Sequence, residues 1–260
     1  MKAVLSRTIA PGRLVDLAHD LPAHGVAEAA FVLRAMAHGF PKGTVHLVVV
    51  DPGVGGRRAP IAIECRDGTF LVGPDNGVLY PLALELGVRS VHRIRRDARI
   101  ARSRVGTTFD GRDLFAPAAA RLADGDSPSR LGPAHVPHPY RIPSAARELG
   151  GARGEVVHVD HFGNLITNVP TAWLPARVAR VAVAIGPRRA RRLPLATSYE
   201  ALGVGRAGVL GSSFGTLEVA VARRRADRRL GGRTGTPVRF AWSAARSGGV
   251  TVNSARPRRR

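Results

Sequence analysis

The sequence predicts two domains, an α/β N-terminal domain with a mostly parallel sheet and an all-β C-terminal barrel domain. Strand-like and helix-like segments alternate through the first half, which is typical of a parallel sheet covered by helices on both faces. After a proline-rich stretch the pattern changes to short strands separated by turns, which predicts a small antiparallel barrel. A length of 260 residues is sufficient for two domains with separate cores.

The α/β domain is predicted to span residues 1–135. Apolar residues recur at helical spacing over residues 26–37, and Gly39 and Pro41 end that helix. A buried strand is predicted directly afterwards, at residues 45–50. The other predicted elements are strands at 14–17, 61–64, 70–72 and 91–94, and helices at 78–86 and 114–122. Because residues 1–6 resemble a helix, we expect the usual first strand of such a domain to be missing.

The second half contains a linker, the barrel and a tail. Residues 136–153 are rich in Pro, Ala and Gly and are interpreted as a linker. The barrel is predicted over residues 154–243. Its predicted strands lie at 155–159, 165–169, 178–185, 208–210, 217–222 and 238–242. Residues 244–260 form a basic tail that we expect to be disordered.

Composition favours a soluble cytoplasmic protein. Hydrophobic residues make up 44% of the chain, and the apolar runs are far too short to span a bilayer. The first residues contain no extended apolar stretch of the kind found in secretory signals. Cys65 is the single cysteine, so no intrachain disulfide is possible and a reducing compartment is expected.

The net charge of +21 raises the alternative of nucleic-acid binding, since basic side chains neutralise phosphates. Most of the positive charge is arginine, in short runs such as 188–192 and 223–225 and at the C-terminus. Aromatic residues make up only 5% of the chain, which provides few platforms for base stacking. We therefore interpret the runs as solvated surface and do not expect a nucleic-acid partner.

Residues 51–58, Asp-Pro-Gly-Val-Gly-Gly-Arg-Arg, follow the strand predicted at 45–50. Ligand chemistry in open α/β sheets lies at the carboxyl ends of strands. Asp51 is thus a candidate to bind or activate a polar ligand, with glycines that let the backbone approach it. The alternative is a tight Pro-Gly turn with surface arginines.

Two further segments of the first half have the same ambiguity. Gly-Pro-Asp-Asn-Gly at 73–77 is a standard turn sequence, in which Asp75 or Asn76 could cap the next helix. Phe-Asp-Gly-Arg-Asp at 109–113 precedes a helix, so its acids are candidate caps and equally candidate catalytic groups.

Two segments of the second half contain candidate ligand contacts. His158, Asp160 and His161 do not share one face of a strand and have no matching ligand cluster elsewhere, so we predict no metal site. Phe162, Gly163 and Asn164 combine an aromatic face, a close-approach glycine and an amide, which suit a purine ring. Residues 212–218 form either a turn into a strand or a site that offers hydroxyls to a ribose or carboxylate.

In series, these segments resemble the S-adenosylmethionine hydroxide adenosyltransferase family, relatives of the fluorinating and chlorinating adenosyl enzymes. The resemblance extends from Met1 to about Phe240, and five motifs in order make it specific. The motifs are Val-Asp-Pro-Gly-Val-Gly (50–55), Gly-Pro-Asp-Asn-Gly (73–77), Thr-Phe-Asp-Gly-Arg-Asp-Leu-Phe-Ala-Pro (108–117), Phe-Gly-Asn-Leu-Ile-Thr-Asn (162–168) and Ser-Ser-Phe-Gly-Thr-Leu-Glu (212–218).

The resemblance implies a homotrimer that hydrolyses S-adenosyl-L-methionine to adenosine and L-methionine by attack of water at the ribose C5′. The nucleoside would bind between one subunit's N-terminal domain and a neighbour's C-terminal domain, and the reaction would need no cofactor. The implied catalytic residues are Asp51, Arg58 and Asp110. The implied substrate-binding residues are Asp75, Asn76, Phe109, Phe162, Asn164 and Ser213, of which Phe162 and Asn164 would contact adenine.

The chain departs from the family pattern at two places. The third catalytic position is Asp110 rather than His, which places two carboxylates together, and one of them is expected to hold a proton. We therefore expect a slow but active enzyme, with a catalytically impaired nucleoside-binding protein as the alternative. The family's first strand, with a Thr-Asp-Phe-Gly motif before the Met-Lys segment, is absent, which indicates a late start codon or a truncation.

Overall fold

A computed structural model describes residues 1–97, 100, 108–140 and 143–242. The chain divides into two compact units. The first, called the α/β unit, comprises Met1–Ser144, Val157–His161 and Arg233–Gly235. The second, called the β unit, comprises Ala145–Val156, Phe162–Gly232 and the chain from Thr236. The predicted tail at 244–260 lies outside the described residues.

The α/β unit contains a four-stranded mixed sheet with the strand order β1-β3-β2-β4. Strands β1 and β3 are parallel, whereas β2 is antiparallel to both β3 and β4. The strands are β1 (Val45–Leu47), β2 (Pro60–Cys65), β3 (Phe70–Pro74) and β4 (Val88–Arg93).

The prediction of a mostly parallel sheet is therefore wrong. Only residues 66–69 connect β2 to β3, and a parallel pair would need a crossover of a dozen or more residues. Gly68 has a φ of +88°, a left-handed conformation that lets the chain reverse within this short turn. The Asp67 carboxylate also accepts a hydrogen bond from the Thr69 backbone N–H at 3.0 Å, which stabilises the turn.

Helices cover both faces of this sheet. On one face, Ile61, Ile63 and Leu71 pack in a cluster with side chains of the second and third helices. On the other, Ala62 and Val72 pack with residues of the fourth helix and the turn before it. The alternation of Ile61, Ala62 and Ile63 between faces is the period-two pattern of a strand buried on both sides. The helices are α1 (Lys2–Leu5), α2 (Val26–Ala37), α3 (Tyr80–Leu86) and α4 (Ala116–Ala123).

Two local predictions have different outcomes. The helix predicted at 26–37 is confirmed as α2, with six of its apolar side chains and Glu28 buried. The strand predicted at 14–17 is wrong, because those residues are not part of a helix or strand and follow a 3₁₀ turn at Pro11–Arg13.

No helix among the described residues is both long and apolar enough to cross a membrane.

The β unit is built on an eight-stranded sheet that almost closes into a barrel, as the sequence predicts. Neighbouring strands follow the order β10-β11-β7-β6-β12-β8-β9, with β5 paired to β6. A bridge between Leu195 and Val209 brings the two ends of this order together. Strand β5 and the start of β6 lie within the residues interpreted as a linker. The strands are β5 (Ala146–Glu148), β6 (Gly151–Val159), β7 (Leu165–Pro170), β8 (Arg180–Ile185), β9 (Arg191–Pro194), β10 (Ala207–Gly211), β11 (Thr216–Val221) and β12 (Pro237–Ala241), and one short helix, α5 (Tyr199–Leu202), lies among them.

Candidate active site

The loop after β1 folds back on itself and brings Arg58 to Asp51. The Val54 backbone N–H donates to the Asp51 carbonyl at 3.2 Å, and Gly56 N–H donates to the Gly53 carbonyl at 2.9 Å. Gly55 has a φ of +77°, which an L side chain rarely adopts. A Cβ at Gly53 would lie 3.2 Å from Arg58 Cγ, so glycine leaves room for the returning side chain.

Asp51 and Arg58 form a buried, bidentate ion pair. Arg58 Nε donates to both carboxylate oxygens of Asp51 at 2.9 Å, and Nη2 also donates to Oδ2. The side chains are only 5% and 8% exposed. In such a dry setting a charge-assisted pair fixes both groups in position, which a solvated surface pair would not do.

Asp110 contacts the same guanidinium from a different part of the unit, the segment before helix α4. It immediately precedes a π-helical turn at Gly111–Phe115, in which the Ala116 N–H bonds to the Gly111 carbonyl. A Cβ at Gly111 would lie 3.2 Å from both Met1 Sδ and Val49 Cγ1, so glycine permits close packing against the end of β1. Arg58 Nη2 thereby donates to Asp110 Oδ2 at 2.5 Å.

Arg96 completes this group, and the sequence interpretation missed it. Its Nη1 and Nη2 donate to Asp110 Oδ1 and Oδ2, each at 2.6 Å. The Asp110 side chain is 4% exposed, whereas that of Arg96 is 38% exposed. No sequence signal distinguishes Arg96 from the many surface arginines of this chain. We call Asp51, Arg58, Asp110 and Arg96 the four-charge cluster.

The hydrogen-bond partners of Asp110 favour its ionised form. Burial opposes its charge, but the hydrogen bonds from Arg96 and Arg58 outweigh burial and hold the pKa of Asp110 below its ordinary value. Burial likewise opposes the charge of Arg58, yet Asp51 and Asp110 raise its pKa. The expectation of a shared proton counted one guanidinium beside two carboxylates, whereas Asp110 accepts hydrogen bonds from both Arg58 and Arg96.

One donor of the cluster is unused. Arg58 Nη1 is buried and has no hydrogen-bond partner among the described residues. The guanidinium also lies over the Phe115 ring, with Cζ 5.4 Å from the ring centroid. Because an unpaired buried N–H is costly, this donor is suited to a small polar ligand such as water.

Asp75 and Asn76 lie at the end of β3, and protein groups already bind both. The Asp75 carboxylate accepts hydrogen bonds from the His138 backbone N–H and lies 2.8 Å from His135 Nε2. The Asn76 amide donates to the Val50 carbonyl at 2.9 Å, next to Asp51, and its oxygen accepts from Val78 N–H. Their role in substrate binding stays a prediction. The sequence did not predict the Asp75–His135 pair, because the two residues lie 60 positions apart.

Phe109 lies beside the cluster in sequence and is 59% exposed. The Arg112 guanidinium lies over the Phe109 ring, 4.8 Å from its centroid, and is itself held by the Asp113 carboxylate at 2.7 and 2.8 Å. The Phe109 ring therefore has a fixed cation near one face. An exposed aromatic ring in this position is compatible with stacking against a nucleoside.

The predicted residues of the β unit lie at two places within that unit. Asn164 is buried just before β7, with Nδ2 3.5 Å from the Tyr199 hydroxyl, which donates to Glu218 Oε1 at 2.5 Å. Phe162 is 74% exposed. Ser213 is exposed in the turn between β10 and β11. Since Leu165 pairs with Val219 and Pro170 with Thr216, Asn164 and Ser213 lie toward opposite ends of the β7–β11 pair.

In the segment that contains His158, Asp160 and His161, His158 binds a buried acid. His158 Nδ1 hydrogen-bonds to Glu28 Oε1 on α2, and the Val159 backbone N–H donates to the same oxygen at 3.3 Å. Thr234 Oγ1 donates to the other oxygen at 3.3 Å. Among the described residues, no group of three or more His, Cys, Asp or Glu side chains is arranged to hold a metal ion.

Comparisons with known proteins identify the family to which both parts of the chain are similar. Residues 1–132 match the model of the SAM hydroxide adenosyltransferase N-terminal domain, and residues 154–239 match the C-terminal domain of the same family. The (R)-S-adenosyl-L-methionine hydrolase of Thermus thermophilus is 40% identical over 92% of each chain. That of Salinispora tropica is 43% identical over 62% of each chain. A solved structure of an uncharacterized conserved protein from Thermotoga maritima has a TM-score of 0.82 at 32% identity, covering 92% of this chain and 93% of that one.

Proposed function

Since the chain belongs to the SAM hydroxide adenosyltransferase family, we propose that it hydrolyses S-adenosyl-L-methionine to adenosine and L-methionine. The names of the Thermus and Salinispora relatives support this reaction. The structural observation that carries the proposal is the buried Asp51–Arg58–Asp110 group, in which Arg58 Nη1 remains available as a donor.

The proposed reaction is a displacement at the ribose C5′. The oxygen of water forms a bond to C5′ while the C5′–S bond breaks. The electron pair of the C5′–S bond returns to sulfur and gives the neutral thioether of methionine. The water loses one proton, which passes by way of a carboxylate to solvent. The sulfonium is already a good leaving group, so the protein's task is to hold and orient the water.

In this scheme Arg58 Nη1 donates to the oxygen of the water and Asp51 accepts one of its protons. The rigidity of the Asp51–Arg58 pair supports this role, because a nucleophile held in line with the breaking bond avoids the entropic cost of encounter. The carboxylates also favour water over a halide ion, which they would repel. Burial of the pair strengthens each of these interactions.

We further propose that Asp110, where the family has His, makes hydrolysis slow. A neutral His can accept a proton near pH 7, whereas Asp110 is ionised and fully occupied by two guanidinium groups. The second candidate is an S-adenosylmethionine-binding protein without turnover, and the occupied state of Asp110 is the observation that favours it.

Purified protein incubated with S-adenosyl-L-methionine distinguishes the two candidates. We expect adenosine and methionine in equal amounts, measured by chromatography, and faster release by Asp110→His. Binding by calorimetry without any release of adenosine, together with release restored by Asp110→His, would establish the binding protein instead. An absence of both binding and release would refute the proposal.

The substrate-binding residues and the assembly remain proposals that rest on the family resemblance. We propose that Phe162 and Asn164 contact adenine, that Ser213 contacts the methionine or ribose portion, and that Asp75, Asn76 and Phe109 line the nucleoside site. The exposed Phe162 ring supports a site completed by a second subunit in a homotrimer. Light scattering of the purified protein tests this, with three times the 27.6 kDa chain mass as the expected result.

A further inference from the structure

Asp110 requires more positive charge than Arg58 alone supplies. Arg58 Nη2 is shared between the carboxylates of Asp51 and Asp110, both of which are about 95% buried. One guanidinium between two buried carboxylates leaves a net negative charge in a dry site, and such a charge is costly. Arg96 balances it, and along Asp51, Arg58, Asp110 and Arg96 the charges alternate in sign.

The geometry of Arg96 also determines which way Asp110 faces. Both Asp110 oxygens accept from Arg96 at 2.6 Å in the side-by-side arrangement that only a guanidinium provides. This contact fixes the plane of the carboxylate and leaves Oδ2 directed at Arg58 Nη2. Arg96 thereby restrains the guanidinium that, in the proposed function, holds the water.

The backbone before Arg96 is itself fixed. The Ile94 backbone N–H donates to the Pro60 carbonyl at 2.8 Å, and Arg95 N–H donates to the Leu131 carbonyl at 2.9 Å. Arg96 thus extends from an anchored segment just after β4, and its partly exposed side chain lies on the outer side of Asp110. It contacts the cluster through Asp110, to which it donates two hydrogen bonds.

We infer that Arg96 is a positioning residue for Asp51 and Arg58, which hold the water in the proposed function. It fixes the Asp110 carboxylate against Arg58 and supplies the positive charge that two buried carboxylates require. The inference rests on the proposed function, and it adds a residue that acts on the reaction through Asp110. Because this role depends on Asp110, substitution of Arg96 should change the rate only while the side chain at position 110 carries a charge.

The test compares Arg96→Gln, Arg96→Lys, Asp110→Asn and the double variant Asp110→Asn with Arg96→Gln. Arg95→Gln serves as the matched control, since it removes the same charge from the neighbouring exposed position. We expect Arg96→Gln to lower kcat for adenosine release by about 10-fold to 100-fold with little change in KM, as misplacement of a catalytic group by about 1 Å is worth that much. Arg96→Lys should restore part of the rate, and Arg95→Gln should have the wild-type rate.

In the Asp110→Asn background, Arg96→Gln should change kcat by less than about twofold, because the pair is then uncoupled. The acid limb of the pH–rate profile should move upward in Arg96→Gln, since loss of a guanidinium raises the pKa of Asp110. Equal effects of Arg96→Gln in both backgrounds, or an unmoved acid limb, would overturn the inference. Circular dichroism identifies variants that fail to fold. If Arg96→Gln does not fold, the acid limb of the pH–rate profile of Arg96→Lys is compared with that of the wild type instead.

A measurement independent of turnover separates this inference from the proposed function. Carbon-13 NMR of the Asp110 carboxyl carbon should titrate at higher pH in Arg96→Gln than in the wild type and Arg95→Gln. If the wild type releases no adenosine but this titration moves, the proposed function fails and the charge role of Arg96 stands. If adenosine is released and the titration does not move, the inference alone fails.

Discussion

Asp110 and Glu28 are both almost completely buried in the α/β unit, with 4% and 1% exposure, but their partners differ in kind. Asp110 is held by two guanidinium groups, one of which keeps a buried donor without a partner among the described residues. Glu28 is held by His158, the Val159 backbone N–H and the Thr234 hydroxyl, which come from segments far along the chain.

The comparison separates two uses of a buried acid. The partners of Glu28 fasten chain segments together, so that its removal should affect stability more than chemistry. The partners of Asp110 include Arg58, whose buried Nη1 has no hydrogen-bond partner among the described residues, as expected where polar groups are arranged for a ligand.

Asp51→Asn is expected to have the largest effect on activity. It keeps the size of the side chain but removes the charge that accepts a proton from water, and acid–base groups typically contribute about 10²-fold to 10⁴-fold to a rate. Adenosine release should fall by that factor while the circular dichroism spectrum is retained. A variant with undiminished kcat would show that the cluster is structural, like Glu28.

Glu28→Ala should have the largest effect on stability. The His158 ring and the Val159 N–H lose their buried acceptor, which is expected to lower the free energy of unfolding by about 3 kcal/mol. Glu85→Ala is the matched control on α3, since Glu85 pairs with Arg34 at the surface and its loss should cost less than about 1 kcal/mol. Urea denaturation measures the stability loss of both variants. A lowered kcat per folded molecule of Glu28→Ala would show that Glu28 also serves the reaction, contrary to a purely structural role.

The contribution of Asp110 to the free energy of unfolding should depend on pH. Its pKa is lowered in the folded state, because hydrogen bonds from Arg96 and Arg58 outweigh burial. The unfolded chain therefore takes up the proton first as the pH falls. The contribution of Asp110 is fully present above the unfolded pKa and is lost as the pH falls through the folded pKa.

Urea midpoints of the wild type and Asp110→Asn, measured from about pH 7 to about pH 3, test this sign. The stability advantage of the wild type should be largest near neutrality and should shrink on acidification. An advantage that grows toward low pH would mean that Asp110 is protonated in the folded chain.

Gly55→Ala should produce the smallest effect, which acts through the backbone of the loop between Asp51 and Arg58. Gly55 has a φ of +77° in the loop between Asp51 and Arg58, where an L residue costs about 1–2 kcal/mol. Gly43→Ala is the matched control, with a φ of +82° between α2 and β1 and open space for a Cβ. Both variants should lose similar stability by thermal denaturation, but only Gly55→Ala should lower kcat, by a few-fold.

Part of this molecule follows from local patterns in the sequence. Helix α2 is predictable because its apolar spacing and the breakers Gly39 and Pro41 act within a few residues. The meeting of Asp51, Arg58 and Asp110 was implied by the family motifs, and the structure places them in contact. The barrel follows from the change to short strands and turns.

The remainder depends on contacts between distant residues, for which a single sequence carries no signal. Strand direction in the mixed sheet depends on the tight turn at Gly68, whereas the alternation of strand and helix suits parallel pairing equally well. Arg96 resembles every other arginine in the chain until the fold places it on Asp110. Glu28 looks like a surface acid on α2 until His158, 130 residues later, covers it.

The buried Glu28 has a consequence for the order in which the chain can fold. Its partners lie at 157–161 and 233–235, so the α/β unit is not completed by its own first 144 residues. During synthesis, the growing N-terminal portion has to keep a carboxylate in its core region without these partners until most of the chain has been made. Strand β12, the last strand among the described residues, follows directly on the segment that completes the first unit, so neither unit can be complete before these late residues have been made.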